Sequence, residues 1–263
     1  MRRPSALSTF ASLALSALLL TNGPASAHFL QIIPSEDVLP EGGTVLLDML
    51  FTHPFEGGPI MAMERPERLG MLNNGEIIDL LPDIAKNPSG GGEGWTVSRE
   101  LAEPGASVFF VDPAPYWEPA EGKFIKHYAK VVVDNYASGE GWDAMVGLPV
   151  EIRPLTRPTG LWTGNLFSGV VMKGEAPVPF AEIEVEFIND GSIQAPNEAF
   201  ITQVITADAN GTFSYAMPHA GWWGFAALVT GEASMTAPDG KAVPVEEGGL
   251  IWVRAQDSAS AQQ

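Results

Sequence analysis

Beyond residue 28 the apolar positions fall in short runs, many alternating with polar ones, and each run is closed by Pro, Gly or an acidic turn. Alternation with period two puts successive side chains on opposite faces of a strand, whereas a helix repeats its apolar face every three to four residues. Phe29-Leu30-Gln31-Ile32-Ile33 and residues 44–51 are the first two such runs, separated by Pro40-Glu41-Gly42-Gly43, whose glycines suit a tight turn. Residues 75–80, 94–100, 106–112, 126–134 and 148–153 predict further strands. Short strands at this density predict an antiparallel β-sandwich over residues 28–153. Residues 61–69 are the stretch where the spacing best suits a helical turn, limited by Pro66.

Residues 154–160, with Pro154 and Pro158, read as a linker, because proline restricts both its own φ and the residue before it. Six more runs follow, at 164–173, 182–187, 200–206, 211–216, 224–230 and 249–254, and predict a second sandwich over 161–255. The fold class expected is therefore all-β, two consecutive antiparallel Ig-like β-sandwich domains. Residues 256–263 are too polar to pack and are expected to be disordered.

The first 27 residues differ from everything after them. Arg2 and Arg3 precede an apolar run over 11–20 that is too short for a stable bilayer span, and Ala25-Ser26-Ala27 fits the small-x-small cleavage rule. A signal peptide over 1–27 is expected, cleaved after Ala27, so that the mature chain is periplasmic, carries no membrane anchor and begins at His28. Such a histidine offers its ring Nδ1 and a new α-amino group together, a chelate that no internal histidine can form.

Charge and composition narrow the chemistry. The chain has 14 Lys+Arg against 32 Asp+Glu, a net charge of −18, which repels nucleic acid and anionic lipid. It has no Cys, which excludes disulfides and thiol catalysis. The motifs G-x-S-x-G, H-E-x-x-H and the P-loop are absent, and no catalytic residue is assigned.

The four histidines carry the remaining chemistry. His53 follows the second predicted strand in His53-Pro54-Phe55-Glu56-Gly57-Gly58-Pro59, and His127 opens the strongly apolar run that ends near Val133. If the first two strands pair antiparallel, His28 and His53 meet at one rim, and His127 joins them if its strand starts there. Imidazoles and an amine suit Ni²⁺, Co²⁺, Cu²⁺ or Zn²⁺, and do not suit Ca²⁺ or Mg²⁺. Glu56 is a candidate carboxylate ligand or an orienting acceptor. His219, in Pro218-His219-Ala220-Gly221-Trp222-Trp223, reads as a turn residue that reaches the site only if the second domain folds back.

Ala27-His28-Phe29-Leu30, His53-Pro54-Phe55-Glu56-Gly57-Gly58-Pro59-Ile60-Met61, residues 124–130 and the Pro218-to-Phe225 segment together resemble the DUF4198 family, which includes exported proteins described as periplasmic components of cobalt and nickel uptake systems. The resemblance implies a periplasmic protein that binds Ni²⁺ or Co²⁺ and supplies it to a membrane transporter, with no enzymatic activity. Residues 169–185 and 206–215 resemble a carboxypeptidase-regulatory-like Ig-type module. Three other readings stay open: a periplasmic copper chaperone, a copper monooxygenase with a histidine brace, and a structural Ig-like adhesion module that holds no metal.

Overall fold

The computed structural model describes residues 28–258, apart from the side chains of 232 and 233. The expected signal peptide and the end of the expected tail lie outside the described residues. Fifteen strands build the fold. They are β1 Phe29–Pro34, β2 Gly43–Thr52, β3 Arg68–Asn73, β4 Glu76–Asp79, β5 Trp95–Leu101, β6 Gly105–Asp112, β7 Tyr116–Glu118 and β8 Lys123–Asn135. After these come β9 Val150–Pro154, β10 Leu166–Lys173, β11 Glu182–Phe187, β12 Gln203–Thr206, β13 Thr212–Ala216, β14 Gly221–Thr236 and β15 Ala242–Gln256, with five further strands of two residues each.

The protein is all-β, and its strands lie in three layers. One outer layer is β1-β2-β5, and the other is β9-β10-β13. Between them runs a sheet in the order β12-β11-β14-β15-β8-β6-β3-β4, with β7 paired to β8. This middle sheet belongs to both halves of the chain, because β15 runs parallel to β8 from Phe124↔Val245 to Val131↔Trp252. The 154–160 segment does not hang free between the halves either. Leu155 and Thr156 both donate from their backbone nitrogens to the Ser168 carbonyl, at 2.8 and 3.1 Å, and Thr159 is buried.

A sheet covered on both faces must bury alternate residues in two different cores. On β8, Ile125, Ala129, Val131 and Val133 enter the core shared with β1, β2 and β5. Tyr128 and Val132 enter the core shared with β9 and β10. The run that looked uniformly apolar in the sequence is therefore two interleaved faces. Lys130 lies on the second face, where its ammonium meets Glu151 of β9 at 2.6 Å with both groups buried. Glu151 also accepts from the backbone nitrogens of Val146, Gly147 and Leu148 at 3.0 to 3.2 Å.

Residues 61–69 form no helical turn. Met61 and Met63 are buried, and the backbone donors look outward: Met63 N donates to Glu93 O at 2.8 Å and Glu67 N to Asp112 O at 2.9 Å. Pro66 has no N–H to continue a helix, and pairing at both ends keeps the segment extended. At the other end of the chain, Gln256 closes β15 and Asp257 accepts from Thr163 Oγ1 at 2.7 Å, so both are ordered where a loose tail was expected. No helix of the described residues is long and apolar enough to cross a membrane.

Candidate metal centre

The β1–β2 pair is antiparallel with Phe29 opposite Thr52, so the residues just outside it, His28 and His53, come to the same end. Their rings meet edge to face, with centroids 4.6 Å apart. The third histidine arrives from the middle sheet. His127 lies on the β8 face that points toward β1, and its Nδ1 donates to the His28 carbonyl at 2.8 Å. A carbonyl can only accept, so Nδ1 carries the proton. Nε2 then faces Glu246 Oε1 at 3.4 Å, buried and without an aligned hydrogen bond. His127 thus acts on the backbone of His28.

The opposite strand makes room for this ring. Gly248 pairs with His127, and a Cβ there would lie 2.6 Å from His127 Cδ2. Gly248→Ala is expected to destabilise the protein by about 1–3 kcal/mol through overpacking and to displace the His127 ring. A double-mutant cycle checks the cause: the penalty should shrink in a His127→Ala background, and an equal penalty in both backgrounds would place the strain elsewhere.

A carboxylate absent from the sequence reading completes the geometry. The hairpin of β7 and β8 carries Glu118 over the rim, where its Oε2 sits 3.1 Å from His28 Nε2. Its Oε1 accepts from Ala120 N at 2.8 Å, which fixes the side chain within its own turn. Because a carboxylate accepts, His28 Nε2 is the protonated nitrogen and Nδ1 is the basic one. His53 Nδ1 lies 3.5 Å from Glu56 Oε2, so the second ring also has a carboxylate beside it. Glu118 left no local signal, since it stands at a strand end beside a turn that carries another glutamate, Glu121, and its partner is 90 positions away.

The His53 loop is fastened from the second half of the chain. Phe55 N donates to Glu186 Oε2 at 3.3 Å, Asn189 Nδ2 donates to Phe55 O at 3.2 Å, and Thr52 Oγ1 closes the loop base on Pro59 O at 2.9 Å. Burial pushes the Glu186 carboxyl up to about 7, although hydrogen bonds from Thr202 and Phe55 oppose the shift. Glu184, two residues along the same strand, is also raised to about 7, by burial and then by the nearby carboxylates of Glu246, Glu186 and Glu182.

Burial lowers His28 below its ordinary 6.5, the neighbouring His53 lowers it further, and Glu118 only partly opposes them. His53 is lowered for the same first reason, against Glu56 and Glu118. Both rings are therefore neutral at pH 7. Among the described residues, no three His, Asp or Glu side chains are spaced as a ready-made metal cage. His219 lies apart from the rim rings, exposed, stacked over Trp223 at 6.4 Å and beside Phe187 at 6.1 Å. The structure brings His28, His53 and His127 together and leaves His219 in the other core's surface.

These features define an all-β protein of packed sheets with a carboxylate-flanked histidine pair at one rim. It belongs to the DUF4198 family, a domain of unknown function whose model matches residues 25–231. No curated protein matches the chain. Among solved structures it is similar to the D0-D1 domain of intimin, at 14% identity and a TM-score of 0.22, covering 86% of this chain and 98% of that one. It is also similar to the Yersinia pseudotuberculosis adhesin InvE, at 13% identity and a TM-score of 0.24, covering 86% of this chain and 61% of that one. A Salmonella alpha-2-macroglobulin mutant aligns at 14% identity and a TM-score of 0.27, covering 92% of this chain and 16% of that one.

Proposed function

We propose that this is an exported binding protein for one divalent transition-metal cation, with Ni²⁺ or Co²⁺ as the cargo it supplies to a membrane transporter. The observation that carries the reading is the His28–His53 pair, with Glu118 holding the one His28 nitrogen that an N-terminal chelate does not use. A metal-binding histidine ordinarily gives its second nitrogen to a carboxylate or carbonyl, which sets the tautomer and raises the basicity of the ligating atom. Once the leader is removed, His28 would bind through Nδ1 and its α-amino group. His53 would add a second ring, so the third donor is an amine and not a side chain. Glu56 stands beside the second ring, and His127 holds the backbone from which the chelate projects.

The preference for nickel and cobalt follows from the family resemblance, and the donors themselves would also take copper. An all-nitrogen set binds Cu²⁺ more tightly than its neighbours in the first transition row. A copper-carrying role is therefore the second reading.

Isothermal titration of protein beginning at His28 with Ni²⁺, Co²⁺, Cu²⁺ and Zn²⁺ tests the proposal. One equivalent should bind, and His53→Ala should weaken binding by about tenfold or more, as loss of a direct ligand requires. His219→Ala should leave the affinity unchanged. Because both rings lie below 6.5 in the folded chain, affinity should respond little to ring protonation at pH 7 and fall as pH drops through the lowered ring pKa values. Absence of binding by all four metals would end the reading.

A further inference from the structure

Beside the histidine rim lies a cavity of ≈ 260 Å³ that neither His28 nor His53 lines. Its walls are the rings of Phe51, Tyr116 and Trp117 together with the buried thioether of Met63. Pro113 and Pro115 form another part of the wall and have no N–H to offer. The backbone of the Met63 segment is already committed, since Met63 N donates to Glu93 O and Trp95 Nε1 donates to the carbonyls of Met63 and Glu64, both at 3.0 Å. The charged side chain in the lining is Glu64, and the His127 ring, the Tyr116 hydroxyl and the Trp117 indole N–H are its other polar groups. A ligand here finds aromatic faces and apolar edges, a few ring-borne donors, and a carboxylate that disfavours anions.

We infer that this cavity binds a neutral aromatic small molecule. Concave, ring-lined pockets with a few polar groups are the usual form of a small-molecule site, and aromatic walls favour offset or edge-to-face contact with a flat ligand. The net charge of −18 works against organic anions in the same direction as Glu64. The cavity also shares a wall with the rim. Phe51 packs on Tyr116 at 5.1 Å, on His28 at 5.6 Å and on His127 at 6.2 Å, so a ligand on the far side of Phe51 touches the same rings that position the histidines. This assignment rests on the cavity alone and stands whether or not the rim takes a metal.

The test uses two fluorophores with one ring system. N-phenyl-1-naphthylamine is neutral, and 1-anilinonaphthalene-8-sulfonate adds a single negative charge. Titrated into the chain from His28, the neutral dye should bind saturably, one per chain, and the sulfonate at least about tenfold more weakly. Ala114→Trp and Ala62→Trp, which add bulk to two different segments of the lining, should each weaken the neutral dye by about tenfold or more. Trp162→Ser, which removes an exposed apolar ring elsewhere, should change nothing. Thermal melting of each variant separates lost binding from lost folding. Wild-type affinity in both filled variants, equal binding of the two dyes, or loss of binding in Trp162→Ser would overturn the assignment.

Discussion

Replacing Lys130 with Met should destabilise the protein by about 3–5 kcal/mol, the cost of leaving a buried charge without its partner. Lys130 and Glu151 meet at 2.6 Å between the middle sheet and β9, and burial holds the ammonium below its ordinary range despite Glu151. Removing the lysine leaves a carboxylate in an apolar core, and the three backbone donors of residues 146–148 only partly compensate it. Adding Glu151→Gln should recover part of the loss, because an amide oxygen still accepts from the loop without carrying charge. Urea denaturation of the wild type and both variants reads both expectations. A single variant within about 0.5 kcal/mol of wild type would show that the pair contributes nothing.

The second large effect concerns the chain start. One residue added before His28 should lower the affinity of the proposed metal site by about 100-fold, since it turns the α-amine into an amide and removes a ligand. The fold should not notice, because β1 begins at Phe29 and its pairing with β2 does not involve the α-nitrogen. Glu118→Gln should give a smaller loss, of about tenfold, the size of effect seen when a carboxylate behind a ligating histidine is removed. Equal affinity in the extended and unextended proteins would remove the amine from the site while leaving the histidine pair as a question of its own. Titration calorimetry on matched proteins makes the comparison, with melting curves as the control.

Much of the fold was legible because strands write a period of two into the sequence. The runs at Phe29, at 44–51 and at 182–187 became β1, β2 and β11 almost residue for residue. The β1–β2 pair is antiparallel, the condition on which His28 was expected to meet His53, and the two rings do meet. What stayed hidden depends on contacts between distant residues. β3 was missed because Gly70 and two flanking polar positions break its pattern. The parallel seam between β8 and β15 joins residues about 120 positions apart and leaves no local mark. His127 looked like a third ligand because its side chain does face the rim, but only the register opposite Gly248 decides which of its nitrogens points where. Glu118 was invisible for the same reason, since its value lies in a hairpin that folds over a residue far back in the chain.

The seam has a consequence in time. β15 is the last strand described, and it lies between β8 and β14, so His127 has no Gly248 beneath it until residues 242–256 have docked. Contacts of such long sequence separation form late, because the loop they close is costly in entropy. A chain that emerges from its N-terminus displays His28 and His53 early, but the imidazole that fixes the His28 backbone cannot settle until almost the entire chain is present. A chain that lacks residues 242–256 therefore carries His28, His53 and His127 without the strand against which the third ring is seated.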